Sequence, residues 1–167
     1  MSLEIYPVLN VDPYDGDTVK CRVRMTKRIK LPVEVATSIL GIEIELDEAE
    51  IVLRGTVPTA VRVVGVDTPE MRGSQRPAGE VVKVAVIDWF AANGPCEIVF
   101  ECRDKYAGRT VADFRSRSGG EPLSEFLLRE GLAKPYDGGT KSPWTAAELA
   151  AISQFAGEPG PPDYGGL

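Results

Sequence analysis

The chain contains no histidine. That excludes Ser-His and Cys-His nucleophilic catalysis, histidine-ligated zinc and imidazole acid–base chemistry, so any hydrolysis must run on carboxylates, cations or a metal ion. Cysteine is scarce as well. Cys21, Cys96 and Cys102 form an odd set whose spacings match neither a zinc site nor a dithiol redox pair, and small buried thiols are the expectation. No apolar run approaches the roughly 20 residues that span a bilayer. The opening Met1-Ser2-Leu3-Glu4 carries no basic segment followed by an apolar stretch, so no membrane partner and a reducing cytoplasm are expected. Excess positive charge is missing too: the net charge is −6, which argues against tight, nonspecific binding to nucleic acid. Cations gathered around one site could still serve a polyanion.

What is present fits one domain. The 167 residues, 43% hydrophobic and 26% charged, can bury an ordinary core. The expected domain covers residues 1–157, and the proline- and glycine-rich residues 158–167 read as a flexible tail.

Residues 3–9 read as a strand, followed by turn chemistry through Pro13 and Asp15-Gly16. From Lys20 the pattern alternates. Lys20, Arg22, Arg24, Thr26, Arg28 and Lys30 fall on one face and Cys21, Val23, Met25 and Ile29 on the other. Ile42-Glu43-Ile44-Glu45-Leu46-Asp47 alternates with acids on one face, so the basic strand is expected to pair with the 42–51 region as a hairpin. Residues 60–66 form a β-branched run expected of a central strand. Strict alternation would put Arg62 and Asp67 on opposite faces, and Gly65 is the place for a bend.

Residues 77–93 carry Val81, Val82, Ala85, Val86, Trp89 and Phe90 at helical spacing, with Gly94 as a stop. Residues 96–103 and 109–115 read as strands joined by a turn. A second helix is expected over 121–130, ending at Gly131. A third is expected from Ser142-Pro143, with Thr145 and Glu148 spaced as a capping box.

The chemistry concentrates in two acidic segments, Asp15-Gly16-Asp17-Thr18 and Asp67-Thr68-Pro69-Glu70, with Arg62 ahead of the second and Arg109 beyond both. A phosphodiester is attacked readily by water only when a cation and fixed donors absorb the charge that develops on its oxygens. Two aspartates can hold the cation, two arginines can grip the phosphate, and a glutamate can take the proton from water.

Those motifs occur in a telling order: Asp15-Gly16-Asp17-Thr18-Val19, then Arg62 five residues before Asp67-Thr68-Pro69-Glu70, then Asp104-Lys105-Tyr106-Ala107-Gly108-Arg109, then Glu130-Gly131-Leu132-Ala133. In this the chain resembles the staphylococcal nuclease (thermonuclease-like) family across roughly residues 3–136. The resemblance implies an α+β fold, a five-stranded OB-fold β-barrel with about three helices, here carrying an additional hairpin-like insertion at about 27–59. It implies a calcium-dependent nuclease acting on DNA, RNA or both, single strands favoured, and leaving 3′-phosphate products. Asp17 and Asp67 would bind Ca²⁺ by carboxylate and Thr68 by its main-chain carbonyl. Glu70 would be the general base, and Arg62 and Arg109 the phosphate clamps. Lys105, Tyr106 and Tyr136 would contact the nucleotide. Ala107 interrupts the family's Asp-Lys-Tyr-Gly-Arg turn, and the insertion, over 31–59, is a candidate for self-association. The alternative is a catalytically silent OB-fold module that binds single-stranded nucleic acid or a protein partner.

Overall fold

The computed structural model describes residues 4–31, 49–103 and 110–155. Five strands close into an α+β, OB-fold-like barrel in the order β1 (Glu4–Pro13), β2 (Thr18–Leu31), β3 (Ala49–Val63), β6 (Thr110–Ser116) and β5 (Cys96–Arg103), which returns to β1. The β3–β6 pair is parallel and the other four are antiparallel. Outside the barrel, β4 (Val66–Asp67) pairs with β7 (Lys134–Pro135) as a small second sheet. Among the described residues there are three α-helices, α1 (Arg76–Asn93), α2 (Leu123–Arg129) and α3 (Ala146–Ser153).

Alternation fills the barrel. Val19, Cys21 and Val23 of β2, Val61 and Val63 of β3, Ile98 of β5 and Phe114 of β6 are buried. Against them α1 lays Val82, Ala85, Val86, Trp89 and Phe90, and the Phe90 ring meets Phe114 edge-on at 5.1 Å. Burial pushes the Cys21 thiol up to about 11 and raises that of Cys96, so both are packing groups rather than nucleophiles. The side chain of Cys102 lies outside the described residues.

Three expectations are adjusted. The basic strand pairs with β3, in one register from Thr18↔Arg62 to Leu31↔Ala49, because β3 is a single strand long enough to match it. The partners of Lys20, Arg22, Arg24, Thr26, Arg28 and Lys30 are Ala60, Pro58, Thr56, Arg54, Val52 and Glu50. Only the last pair sets an acid opposite a base, and the Ile42–Asp47 run lies outside the described residues. The third helix begins after Thr145, which caps it through the expected box with Glu148, so Pro143 precedes the helix instead of opening it. The second helix is shorter than 121–130, since Pro122 is its N-cap. The 158–167 tail also lies outside the described residues.

Asp113 of β6 caps α2 from eleven residues away, accepting bonds from the Ser124 amide and hydroxyl. Burial raises its pKa above the ordinary 3.8, against the pull of those donors. The folded chain therefore keeps this proton to higher pH than the unfolded chain does. The group's contribution to stability is greatest below 3.8 and declines as pH rises through the folded value. Asp113→Asn removes that decline. Urea midpoints measured from pH 4 upward should show the variant gaining on the wild type as pH rises, and parallel curves would refute this.

Candidate functional site

The β2–β3 register brings the first two site residues together. Thr18 pairs with Arg62, so Asp17, one residue earlier, lies beside the outward-facing guanidinium. The Val63 amide donates to the Asp17 carbonyl at 2.8 Å, and Arg62 Nη1 meets Asp17 Oδ2 at 3.0 Å. Asp17 is 5% exposed. Burial raises the pKa of its carboxyl, while Arg62 and the Thr18 hydroxyl pull the other way. Arg62 Nη2 donates to the Val66 carbonyl at 3.3 Å, and the guanidinium lies 5.3 Å from the centre of the Tyr136 ring. The ion pair and this bond engage two of its five N–H groups, leaving others for an anion.

The bend between β3 and β4 falls at Gly65, which takes φ +74°. Its carbonyl accepts the Tyr136 amide at 2.9 Å, and β4–β7 pairing then sets Asp67 opposite Lys134. Asp67 is 3% exposed and Thr68 4%. Two glycines admit this segment. A Cβ on Gly16 would lie 2.7 Å from Thr68 Oγ1, and one on Gly79 would lie 2.8 Å from the Glu70 carbonyl oxygen. Gly79 sits in α1, so the helix seats the backbone that carries Glu70. The Glu70 amide donates to Gln75 Oε1 at 2.9 Å, and the Glu70 side chain remains 42% exposed.

Lys141 joins the two acids of this segment. Its ammonium lies 2.6 Å from Asp67 Oδ1, an oxygen sealed from solvent and outside hydrogen-bond geometry, and 3.1 Å from Glu70 Oε1. Its field also reaches Asp17. Partial burial works against the ammonium, but the Asp67 and Glu70 carboxylates outweigh it and raise the Lys141 pKa. Arg72 adds a second, looser cation 4.0 Å from Glu70.

Asp17, Arg62, Asp67, Thr68, Glu70 and Tyr136 are thus linked through direct contacts and the small second sheet. Arg62 pairs with Asp17 rather than with Asp67 or Glu70. Arg109, Lys105 and Tyr106 lie outside the described residues. Reading the sequence missed Lys141, Gly79 and Gln75, and took Gly16 only as a turn residue. The Gly-Gly-Thr-Lys-Ser-Pro stretch around Lys141 carries only turn signals, and Gly79 looks like a tolerated helix glycine.

Among the described residues no group of three or more His, Cys, Asp or Glu side chains could hold a metal on its own. Carboxylate oxygens are the donors that a hard cation takes alongside main-chain carbonyls and water, and Asp17 and Asp67 are both buried. The buried Asp67 oxygen, already facing an ammonium, marks a place where positive charge is accepted. A groove of about 420 Å³ between α1 and α3, lined by Pro77, Val81, Val84 and Phe155 among others, contains none of these residues. No family model matches the chain, and a search of the curated proteins finds no match.

Proposed function

We propose that the chain is a metal-dependent phosphodiesterase of the staphylococcal nuclease type, hydrolysing DNA, RNA or both to 3′-phosphate and 5′-hydroxyl ends. The observation that carries the reading is that Arg62 of β3 pairs with Asp17 of the β1–β2 turn, while the Lys141 ammonium joins Asp67 and Glu70 of the segment after β3 and its field reaches Asp17. Asp17 and Asp67, with the Thr68 carbonyl, would hold Ca²⁺, which supplies positive charge to the phosphoryl oxygens when bound. Glu70, half exposed and next to cations, takes the proton of the attacking water. Arg62 donates to the equatorial oxygens with the N–H groups that Asp17 and Val66 leave over, and Arg109 is proposed as the second clamp. Water adds to phosphorus, the bond to the 5′-oxygen breaks, and that oxygen leaves as a hydroxyl after taking up a proton.

A binding module without chemistry remains the second reading, favoured by the exposed Lys20, Arg22 and Arg24 on the outer face of β2, where Arg22 bonds Thr56. One digestion separates the two. Single-stranded DNA incubated with the protein and millimolar Ca²⁺ should be cut to 3′-phosphate ends, and excess chelator should abolish cutting. Binding of the same strand with no cleavage under any metal condition would establish the module instead.

A further inference from the structure

We infer that Lys141 is a tethered counter-ion of the proposed metal site, resting on Asp67 and Glu70 until a divalent cation displaces it. This builds on the metal-dependent reading above and assigns a role to a residue outside that machinery.

The distances carry the inference. Ca²⁺ binds carboxylate oxygens at about 2.3–2.6 Å. The Lys141 ammonium stands 2.6 Å from the buried Asp67 Oδ1 and 3.1 Å from Glu70 Oε1, so it occupies the locus that an ion on the same oxygen would take. Two cations cannot share it. Without Lys141, the buried Asp67 carboxylate would face its neighbouring acids uncompensated, a costly arrangement for a charge that is 3% exposed.

The way Lys141 is mounted suits displacement. It belongs to a strap, residues 137–142, that is exposed throughout. The strap is pinned at one end by the Tyr136 amide on the Gly65 carbonyl. At the other end, Lys134 Nζ donates to the Pro143 carbonyl at 2.9 Å, and Trp144 packs against the core. Within it, the Gly139 amide bonds Asp137 Oδ1 and the Gly139 carbonyl accepts the Tyr136 hydroxyl. Lys141 itself is held to the body by its two carboxylate contacts, and its side chain is 44% exposed. The ammonium can therefore leave for water while the anchors hold. The strap also links this movement to Tyr136, whose ring lies under Arg62.

The test is calorimetric titration of Ca²⁺ alone, without nucleic acid, into the full chain and into Lys141→Met and Lys141→Arg. With the competitor removed, Lys141→Met should bind about tenfold more tightly, and Lys141→Arg should stay near the wild type. The melting temperature of metal-free Lys141→Met should fall, and Ca²⁺ should raise it by more than it raises that of the wild type. Equal affinities in all three proteins, or weaker binding by Lys141→Met, would overturn the tethered counter-ion and leave the metal site standing. Absence of binding to any of them would overturn both.

Discussion

Replacing Arg62 by alanine is expected to damage folding and function together. Breaking a buried ion pair by removing one partner costs about 3–5 kcal/mol, because the remaining charge is left without compensation. Asp17, whose side chain is 8% exposed, meets that condition. The expected loss is about 3 kcal/mol, at the lower end of that range, because the Thr18 hydroxyl still donates to Asp17 Oδ1 at 3.1 Å. Urea denaturation reads this directly. Arg62→Lys should recover part of the stability by restoring the charge, without the planar fork that reaches both Asp17 and the Val66 carbonyl. In the digestion assay, under conditions where both variants are folded, each should lose on the order of 10²–10³-fold in rate, the scale of one transition-state donor. Lysine matching arginine in rate would show that Arg62 only neutralises Asp17.

Glu70→Gln should separate chemistry from structure. The Glu70 side chain is half exposed, its contacts are with the Lys141 ammonium and, more loosely, Arg72, and its main-chain bond to Gln75 does not involve the carboxylate. Surface ion pairs contribute about 0–1 kcal/mol, so the melting temperature should barely move. Glutamine cannot accept the water's proton. A general base is worth about 10²–10⁴-fold, and cleavage should fall by that factor while binding of single-stranded DNA persists. Undiminished cleavage would remove Glu70 from the mechanism. A large loss of stability would mean that this side chain has a structural role the contacts do not reveal.

Much of the architecture was legible in the sequence because the forces behind it are local. The 3.6-residue spacing of Val82, Val86, Trp89 and Phe90 specified α1, and Gly94 its end. The Thr145–Glu148 box was legible too, although Ser142-Pro143 was expected to open α3 and the helix begins only after Thr145. Alternation from Lys20 specified a strand with Cys21 and Val23 inward and Lys20, Arg22 and Arg24 outward, whereas Met25, expected on the apolar face, is exposed. Its partner strand was harder to read: charge complementarity pointed to 42–51, while backbone pairing over the whole length of β3 set the register.

The candidate site divides along the same line. Composition limited the groups available, since a chain without histidine but with Asp17, Arg62, Asp67 and Glu70 offers carboxylates and guanidinium groups in place of imidazole. Tertiary structure decided which of these touch. Arg62 meets Asp17 because Thr18 and Arg62 are cross-strand partners. Glu70 has its position because Gly79 brings no side chain to the helix surface, where a methyl carbon would stand 2.8 Å from the Glu70 carbonyl oxygen. Lys141 reaches Asp67 from 74 residues away through a strap whose own sequence signals only a turn. Side-chain period and capping act over three or four residues and are written in order along the chain. The contact between an ammonium and a buried carboxylate depends on where two distant backbones are anchored, and that is settled only when the barrel closes.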